Sequence, residues 1–335
     1  MKRSDAQIYR CPNTHQGLGL KRVDVEEDGE VKEGLLVTED GKTEYPVIRG
    51  IPRFVPPDNY AASFGYQWNK FAKVQVGGVQ KEWSKIRFDQ TAEWPGDLRG
   101  QKILEAGCGA GRFSEIALDT GAEVFSFDLS AAVEACNGNL TSPELRARHH
   151  AAQASIYAIP FPARTFDKVY CLGVLQHCPD VKRAFMSLVP LLKPGGEIVV
   201  DCYLSQPLKH AFNLKYLLRP FFKWWRPTTL YAFWAGVISA AYELKRGINA
   251  LPGIGPVLAR MVPIGRLNYE AFGGHQTIDE IKEIKTLSVF DMLSPAYDQP
   301  QSLETFRAWI AEANLELVKL DTGYNGINAK ARMPR

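Results

Sequence analysis

Several features are scarce in this chain. Its 335 residues include six cysteines, Cys11, Cys108, Cys136, Cys171, Cys178 and Cys202. Their spacing matches no disulfide framework, and several sit in apolar runs where buried thiols are expected. A reducing, cytoplasmic setting is therefore the expectation. The opening "MKRSDAQIYRCP" has basic residues with no apolar stretch behind them, which argues against a secretory signal. A spanning helix needs about 20 apolar residues. The sixteen uncharged residues between Arg226 and Glu243 fall short of that, and Pro227 and Gly236 are expected to interrupt them. Charge of one sign is missing too: 40 Lys and Arg against 37 Asp and Glu leave a net +3, dispersed along the chain. That balance argues against nucleic acid as a partner. Zinc needs four ligands, and before Cys108 only Cys11 and His15 are available, so no metal site is expected.

Apolar residues are plentiful, at 45%, enough for one large domain or a large and a small one. Residues 1–57 read as short alternating strands, "LGLKRVDVEEDG" and "KEGLLVTEDGKTEYPVI", with Asp-Gly pairs as turn signals and Pro56-Pro57 as the boundary. Residues 58–101 form a linker with helices. From Lys102 the pattern alternates: "KILEAGC", a helix over 112–120, "EVFSFDL", a helix over 130–140, a weaker strand at 149–154, "FDKVYCLG", a helix over 181–192, then "GEIVVDCYL". Such alternation predicts a parallel sheet covered by helices, with its ligand site where strands end and helices begin. The order is interrupted from 204 and resumes with "SLETFRAWIAEANL" and two strands, "LELVKLD" and "GINAKARM", close enough to form a hairpin. The fold class is thus α/β, a doubly wound, mostly parallel seven-stranded sheet with a small N-terminal β module and a helical insertion. Its parts are 1–57, 58–101, 102–203, 204–290 and 291–335.

The stretch "ILEAGCGAGRFSE" sets Gly107, Gly109 and Gly111 directly behind the first strand of that alternation. Glycine there allows unusual backbone angles and lets a ligand approach the main chain. Asp128 ends the next strand, 17 residues after Gly111, where a carboxylate can accept from both hydroxyls of a ribose. A dinucleotide fold has G-x-G-x-x-G; here the third glycine comes one position early, which disfavours an oxidoreductase.

The spacing E-x-G-x-G-x-G, from Glu105 to Gly111, resembles motif I of the class I S-adenosylmethionine-dependent methyltransferases. "IPFPARTFDKVYCLGVLQHCPDVKRAFMSLVPLLKPGGEIVV", residues 159–200, resembles the core signature of the type 11 branch. The resemblance implies S-adenosylmethionine as cofactor. Glu105 would orient the loop and the amino group, with Gly107, Cys108, Gly109 and Gly111 against the ligand. Asp128 would bind the ribose, Leu129, Ser155 and Ile156 would surround the adenine, and Leu172 would follow the fourth strand. The family often has Asp at the position of Ser155, whose hydroxyl is a weaker acceptor. In "NYAASFGYQWNKF", Tyr66, Gln67 and Trp68 would cap the methionine end, or the segment is an amphipathic helix packed on the sheet. The N-terminal "EYPVIRGIPRFVPP" is similar to a zinc-ribbon-like module, here without its metal ligands.

Methyl transfer needs an in-line nucleophile and sometimes a general base. The candidates are His177 in "VLQHCPD", Asp201 and Tyr203 after the fifth strand, and His275 in "FGGHQT". Their alternative readings are an architectural histidine, a strand-end cap and an ordinary loop histidine. Asp291, Ser294, Tyr297 and Asp298 either line the substrate side or cap the helix that follows. The insertion carries Lys209, Lys215, Arg219, Lys223 and Arg226 among Phe and Trp. It fits a lid over the active site, or an interfacial helix through 212–244 that rests on anionic lipid. The expected activity is methyl transfer to a small-molecule or lipid-like acceptor. The alternatives are a methyltransferase-fold binding or activator protein without turnover, and an RNA methyltransferase.

Overall fold

The structure, a computed structural model, describes residues 1–72, 78–207, 214–259 and 277–335. It divides into two compact units, one of Met1–Gln206 with Tyr297–Arg335, the other of Pro207–Ala296.

In the first unit, β1 (Leu18–Glu27), β2 (Glu30–Thr38), β3 (Glu44–Ile48) and β4 (Ile51–Pro52) form an antiparallel sheet in chain order. Two of its turns, Asp28-Gly29 and Arg49-Gly50, have positive φ at both residues, 51° and 75°, then 54° and 77°. This is the two-residue geometry that matches the twist of a hairpin, and Gly adopts it without strain. The Arg49-Gly50 turn carries no Asp-Gly signal.

The second sheet has seven strands in the order β10-β11-β9-β8-β5-β6-β7. They are β5 (Lys102–Ala106), β6 (Glu123–Asp128), β7 (His149–Gln153), β8 (Phe166–Cys171), β9 (Leu192–Cys202), β10 (Glu316–Gly323) and β11 (Gly326–Arg332). Strands β5 to β9 pair in parallel, while β11 runs antiparallel to β9 and forms the expected hairpin with β10. Parallel strands covered on both faces need continuous apolar runs, and Ile103, Leu104, Val169 and Val199 are wholly buried. Strand order reverses on either side of β5, so the loops after β5, β6 and β8 gather at one edge, where such sheets bind ligands. The covering helices are shorter than expected: Ser114–Asp119, Ala132–Asn139 and Val181–Leu188, the last passing into a 3₁₀ turn.

The N-terminal sheet shares the core of this unit. Tyr9, 1% exposed, packs at a tilt against Phe54 and Phe161 at 5.7 and 5.6 Å, and its hydroxyl donates to the Ala151 carbonyl at 3.0 Å. Buried Arg53 pairs with Glu134 at 2.8 Å and donates to Gln153 at 3.0 Å. Pro57 therefore bounds a sheet but not a separate core. Among the described residues, no group of three or more His, Cys, Asp and Glu is arranged to hold a metal ion.

The second unit is helical, with helices over Leu214–Phe222, Pro227–Asn249, Gly255–Ala259 and Ile278–Leu293. Neither Pro227 nor Gly236 interrupts the long helix. Proline stands at its first position, where an N–H has no intrahelical partner, and one interior glycine costs only about 1 kcal/mol. Thr277 and Glu280 form a reciprocal capping box at the start of the last helix. Buried Arg219 donates to the carbonyls of Met292, in that helix's last turn, and Pro295, just beyond it, at 3.3 and 2.8 Å. The unit thus extends to Ala296 and includes Asp291 and Ser294. No helix among the described residues is long and apolar enough to cross a membrane.

Tyr9→Ala is expected to lower the stability of the first unit by about 3 kcal/mol. In urea titration the two sheets should melt in one transition; an independent melt of the N-terminal sheet would contradict the shared core.

Candidate functional site

The loop after β5 is shaped by the end of β6. The amides of Gly107 and Cys108 both donate to the Phe127 carbonyl, at 2.7 and 3.1 Å, and that of Gly109 donates to Asp128 Oδ2 at 2.9 Å. All three glycines have positive φ, 81°, 53° and 84°. A Cβ on Gly107 would overlap the Val174 side chain, and one on Gly111 would lie 3.0 Å from Cys136 Sγ. Those two glycines are therefore required by protein packing. At Gly109 the missing Cβ faces the Trp68 indole, 3.4 Å from Nε1.

Trp68 belongs to α1 (Ala62–Lys70), which lies across the start of the helix over Ala132–Asn139. Asn69 donates to the Ala131 carbonyl at 2.9 Å, and a Cβ on Gly65 would sit 3.2 Å from the Ala131 nitrogen. Gln67 is fully buried, whereas Tyr66 and Trp68 are half-buried. The segment is thus an amphipathic helix that also brings Trp68 to the glycine loop.

Asp128 Oδ1 accepts from the Ser130 amide and hydroxyl at 2.8 and 2.7 Å, and Oδ2 accepts from Gly109. A carboxylate has about four acceptor directions. Three are in use, which leaves about one for a ligand hydroxyl rather than the two expected. Burial pushes the Asp128 carboxyl up from its usual range, against the pull of these donors. Leu129 is held by its carbonyl, which accepts from Asn59 and Gln153, each at 3.0 Å. Ser155 Oγ accepts from the Tyr157 amide at 3.2 Å inside a turn. Ile156 and Leu172 are each 6% exposed and pack into the core; the Ile156 carbonyl accepts from Ser187 at 2.6 Å.

Glu105 points into the protein. It is 2% exposed and accepts from the Ser114 hydroxyl and, at 2.8 Å, from that of Ser126. Burial pushes its carboxyl up to about 8, despite those two donors and Tyr170. Its partners tie β5, β6, β8 and the helix after the loop together, so it orients the loop from beneath. Cys108 is buried in the loop, and Cys136 Sγ lies 3.3 Å from Ser114 Oγ.

Asp201, 1% exposed, is enclosed. It forms an ion pair with Arg87, and its Oδ1 accepts from the Gly173 amide and, at 3.2 Å, from Asn325. The Arg87 guanidinium is 5.3 Å from the rings of both Phe113 and Tyr324. Asp201 therefore anchors the loop after β8, and as placed its carboxylate is engaged by the protein on both oxygens. Arg87 went unread in the sequence, because nothing local marks a residue that pairs 114 positions away.

His177 has a different environment. Its Nδ1 lies 3.0 Å from the Tyr297 carbonyl, which can only accept, so Nδ1 carries the proton. In the neutral ring Nε2 is then the basic nitrogen. The ring packs 5.0 Å from Phe64 and 5.6 Å, edge-on, from Tyr203. Tyr297 in turn meets Tyr60 edge-on at 5.4 Å. The structure thus gathers His177, Tyr203, Tyr297 and α1. His275 lies outside the described residues. The helix after Asp298, Leu303–Glu312, is capped by Ser302, which accepts from the Thr305 amide at 3.1 Å.

The raised carboxyl of Glu105 has a signed consequence. Its folded value, about 8, exceeds the usual 4.5, so its stabilising contribution is complete below the unfolded value and is lost as pH rises toward the folded one. Glu105→Gln, which keeps the neutral shape, should flatten the fall in melting temperature between pH 5 and 8 and melt higher than the parent at pH 8 (about the folded value). An unchanged pH slope in calorimetry would contradict the buried neutral acid.

A family model described as a methyltransferase domain matches residues 104–200. The ubiquinone biosynthesis O-methyltransferase of Alkalilimnicola ehrlichii is 32% identical over 138 residues, covering 40% of this chain and 56% of that protein. The protein of the same name from Azoarcus sp. is 34% identical over 102 residues, 30% of this chain and 43% of its own. The chain spans about half the length of the curated relatives it matches. Among solved structures, an O-methyltransferase family 2 protein from Planctomyces limnophilus in complex with apigenin is 16% identical, with a TM-score of 0.44 over 79% of this chain and 62% of that one. Residues 104–200 thus match a methyltransferase domain of the type 11 branch, and the seven-stranded sheet has the class I methyltransferase fold.

Proposed function

We propose that the chain binds S-adenosylmethionine at the Gly107–Gly111 loop and transfers its methyl group to an oxygen of a small-molecule or lipid-like acceptor. The observation that carries this reading is the loop itself. Three consecutive amides are fixed by the end of β6, beside a carboxylate with an acceptor direction left over and a tryptophan over the one glycine face that protein packing does not require. The names of the matched relatives, O-methyltransferases of ubiquinone biosynthesis, support oxygen as the accepting atom and a lipid-like acceptor.

The residues fit the cofactor's polar and apolar parts. Asp128 would take a ribose hydroxyl, Ser155 a weaker bond from the adenine side, and Trp68 the apolar flank of the loop. When bound, S-adenosylmethionine supplies an electrophilic methyl on a sulfonium, whose departure leaves a neutral thioether. His177, its Nδ1 proton held by the Tyr297 carbonyl, presents Nε2 as the base that takes the acceptor's hydroxyl proton as the new carbon–oxygen bond forms. Tyr203 and Phe64 fix the ring's plane. Asp201, through Arg87 and the Gly173 amide, positions the loop that carries Val174 against Gly107. The helical unit Pro207–Ala296 leaves the chain just after β9, and we assign acceptor selection to it.

The test is turnover with labelled S-adenosylmethionine over phenolic acceptors with and without an apolar tail. His177→Ala should lower kcat by about a hundredfold, leave the KM for S-adenosylmethionine unchanged and remove the acidic limb of the kcat profile. An unaltered limb would make His177 architectural, and cofactor binding without turnover on any acceptor would favour a binding protein.

A further inference from the structure

The helical unit turns two apolar stripes outward. Leu217, Phe221 and Trp224, spaced by four and three residues, are 55%, 72% and 73% exposed. Along the helix Pro227–Asn249, Phe233, Val237 and Leu244 follow at helical spacing and are 43%, 38% and 59% exposed, while Leu230 and Ile238 of the same helix are buried. These stripes stand on a firm base: the Phe222 ring packs against Trp225 at 5.1 Å and Trp234 at 5.5 Å, and Trp225 packs against Phe233 at 5.5 Å. Outward apolar residues on so well packed a support call for a partner.

The charge around them selects the partner. Residues 214–249 hold six basic side chains, at 215, 219, 223, 226, 245 and 246, and a single acid, Glu243. Glu243 is taken up by Lys282 at 2.9 Å and Arg246 at 3.4 Å. Lys223 Nζ sits 4.8 Å over the Trp224 ring, and Arg226 is exposed beside it. Neither has a carboxylate partner among the described residues. Aromatic rings favour the headgroup level of a bilayer, and Lys and Arg beside them favour its anionic phosphates. A second copy of the same face would bring like charges together.

We infer that the face formed by Leu217, Phe221, Trp224 and the Phe233–Leu244 stripe docks on the surface of an anionic lipid bilayer. This deepens the proposed function, resting on its lipid-like acceptor, since such a molecule resides in the membrane. The docking is peripheral, because no helix among the described residues is long and apolar enough to span.

Co-sedimentation of the full chain with phosphatidylcholine vesicles, with and without phosphatidylglycerol, tests it without any need for turnover. The chain should sediment with the phosphatidylglycerol vesicles. Phe221→Ser with Trp224→Ser should lower partitioning about tenfold or more with an unchanged melting curve, because both residues are exposed. Lys223→Glu with Arg226→Glu should erase the preference for anionic lipid. A chain that stays in solution with both vesicle types, or an aromatic variant that binds as the parent does, would overturn the inference. So would a dimer in ultracentrifugation that the same aromatic variant breaks, which would assign the face to a second copy. None of these outcomes bears on methyl transfer to a soluble phenol, so the two readings fail separately.

Discussion

The site depends on one constraint, the capture of the glycine loop by the end of β6. Gly107 and Cys108 share the Phe127 carbonyl, and Gly109 reaches the Asp128 carboxylate at 2.9 Å. Those bonds require β5 and β6 to lie side by side in register, with Ala106 opposite Phe127. They also require left-handed backbone at alternate positions, which glycine supplies at the least cost. Buried carboxyls reinforce the loop from two sides. Glu105 holds the serines of β6 and the following helix beneath it, and Asp201 holds the Gly173 amide, so that Val174 closes against Gly107. The same side-chain chemistry serves opposite conditions. Glu105 is kept neutral by burial, with a carboxyl at about 8, whereas Asp201 is matched by the Arg87 guanidinium.

Much of this was legible in the sequence because it is local. Alternating apolar runs announced the parallel strands, the early third glycine disfavoured the dinucleotide register, and the close spacing of the last two strands announced their hairpin. Asp128 was legible as the residue ending the second strand. What escaped lies at long range or concerns what a known residue faces. Arg87 sits in an ordinary helix, and only the fold brings it to Asp201. Gly107 and Gly111 read as ligand-facing, yet Val174 and Cys136 fill the space beside them. Pro227 and Gly236 read as interruptions of a helix that in fact runs through both, since a proline at the first position breaks nothing. Pro57 read as a domain edge because composition changes there, whereas Tyr9 and Arg53 cross that edge into the larger sheet.

The histidine shows what a single distant contact adds to a residue whose role sequence leaves open. In "VLQHCPD" the sequence leaves an architectural and a chemical reading open. The Tyr297 carbonyl, 120 positions later, fixes the proton on Nδ1 and thereby makes Nε2 the basic nitrogen. Phe64, from α1, and Tyr203, from the end of β9, pack against the ring. α1 thus touches both, the glycine loop through Trp68 and the histidine through Phe64.

The most direct measurement is calorimetric titration of the whole chain and of Asp128→Ala with S-adenosylmethionine and S-adenosylhomocysteine. The account predicts that the parent binds both and that the variant binds about tenfold or more weakly, since it loses a ribose acceptor and the anchor of the Gly109 amide. No binding by the parent, or equal affinity in the two proteins, would contradict it.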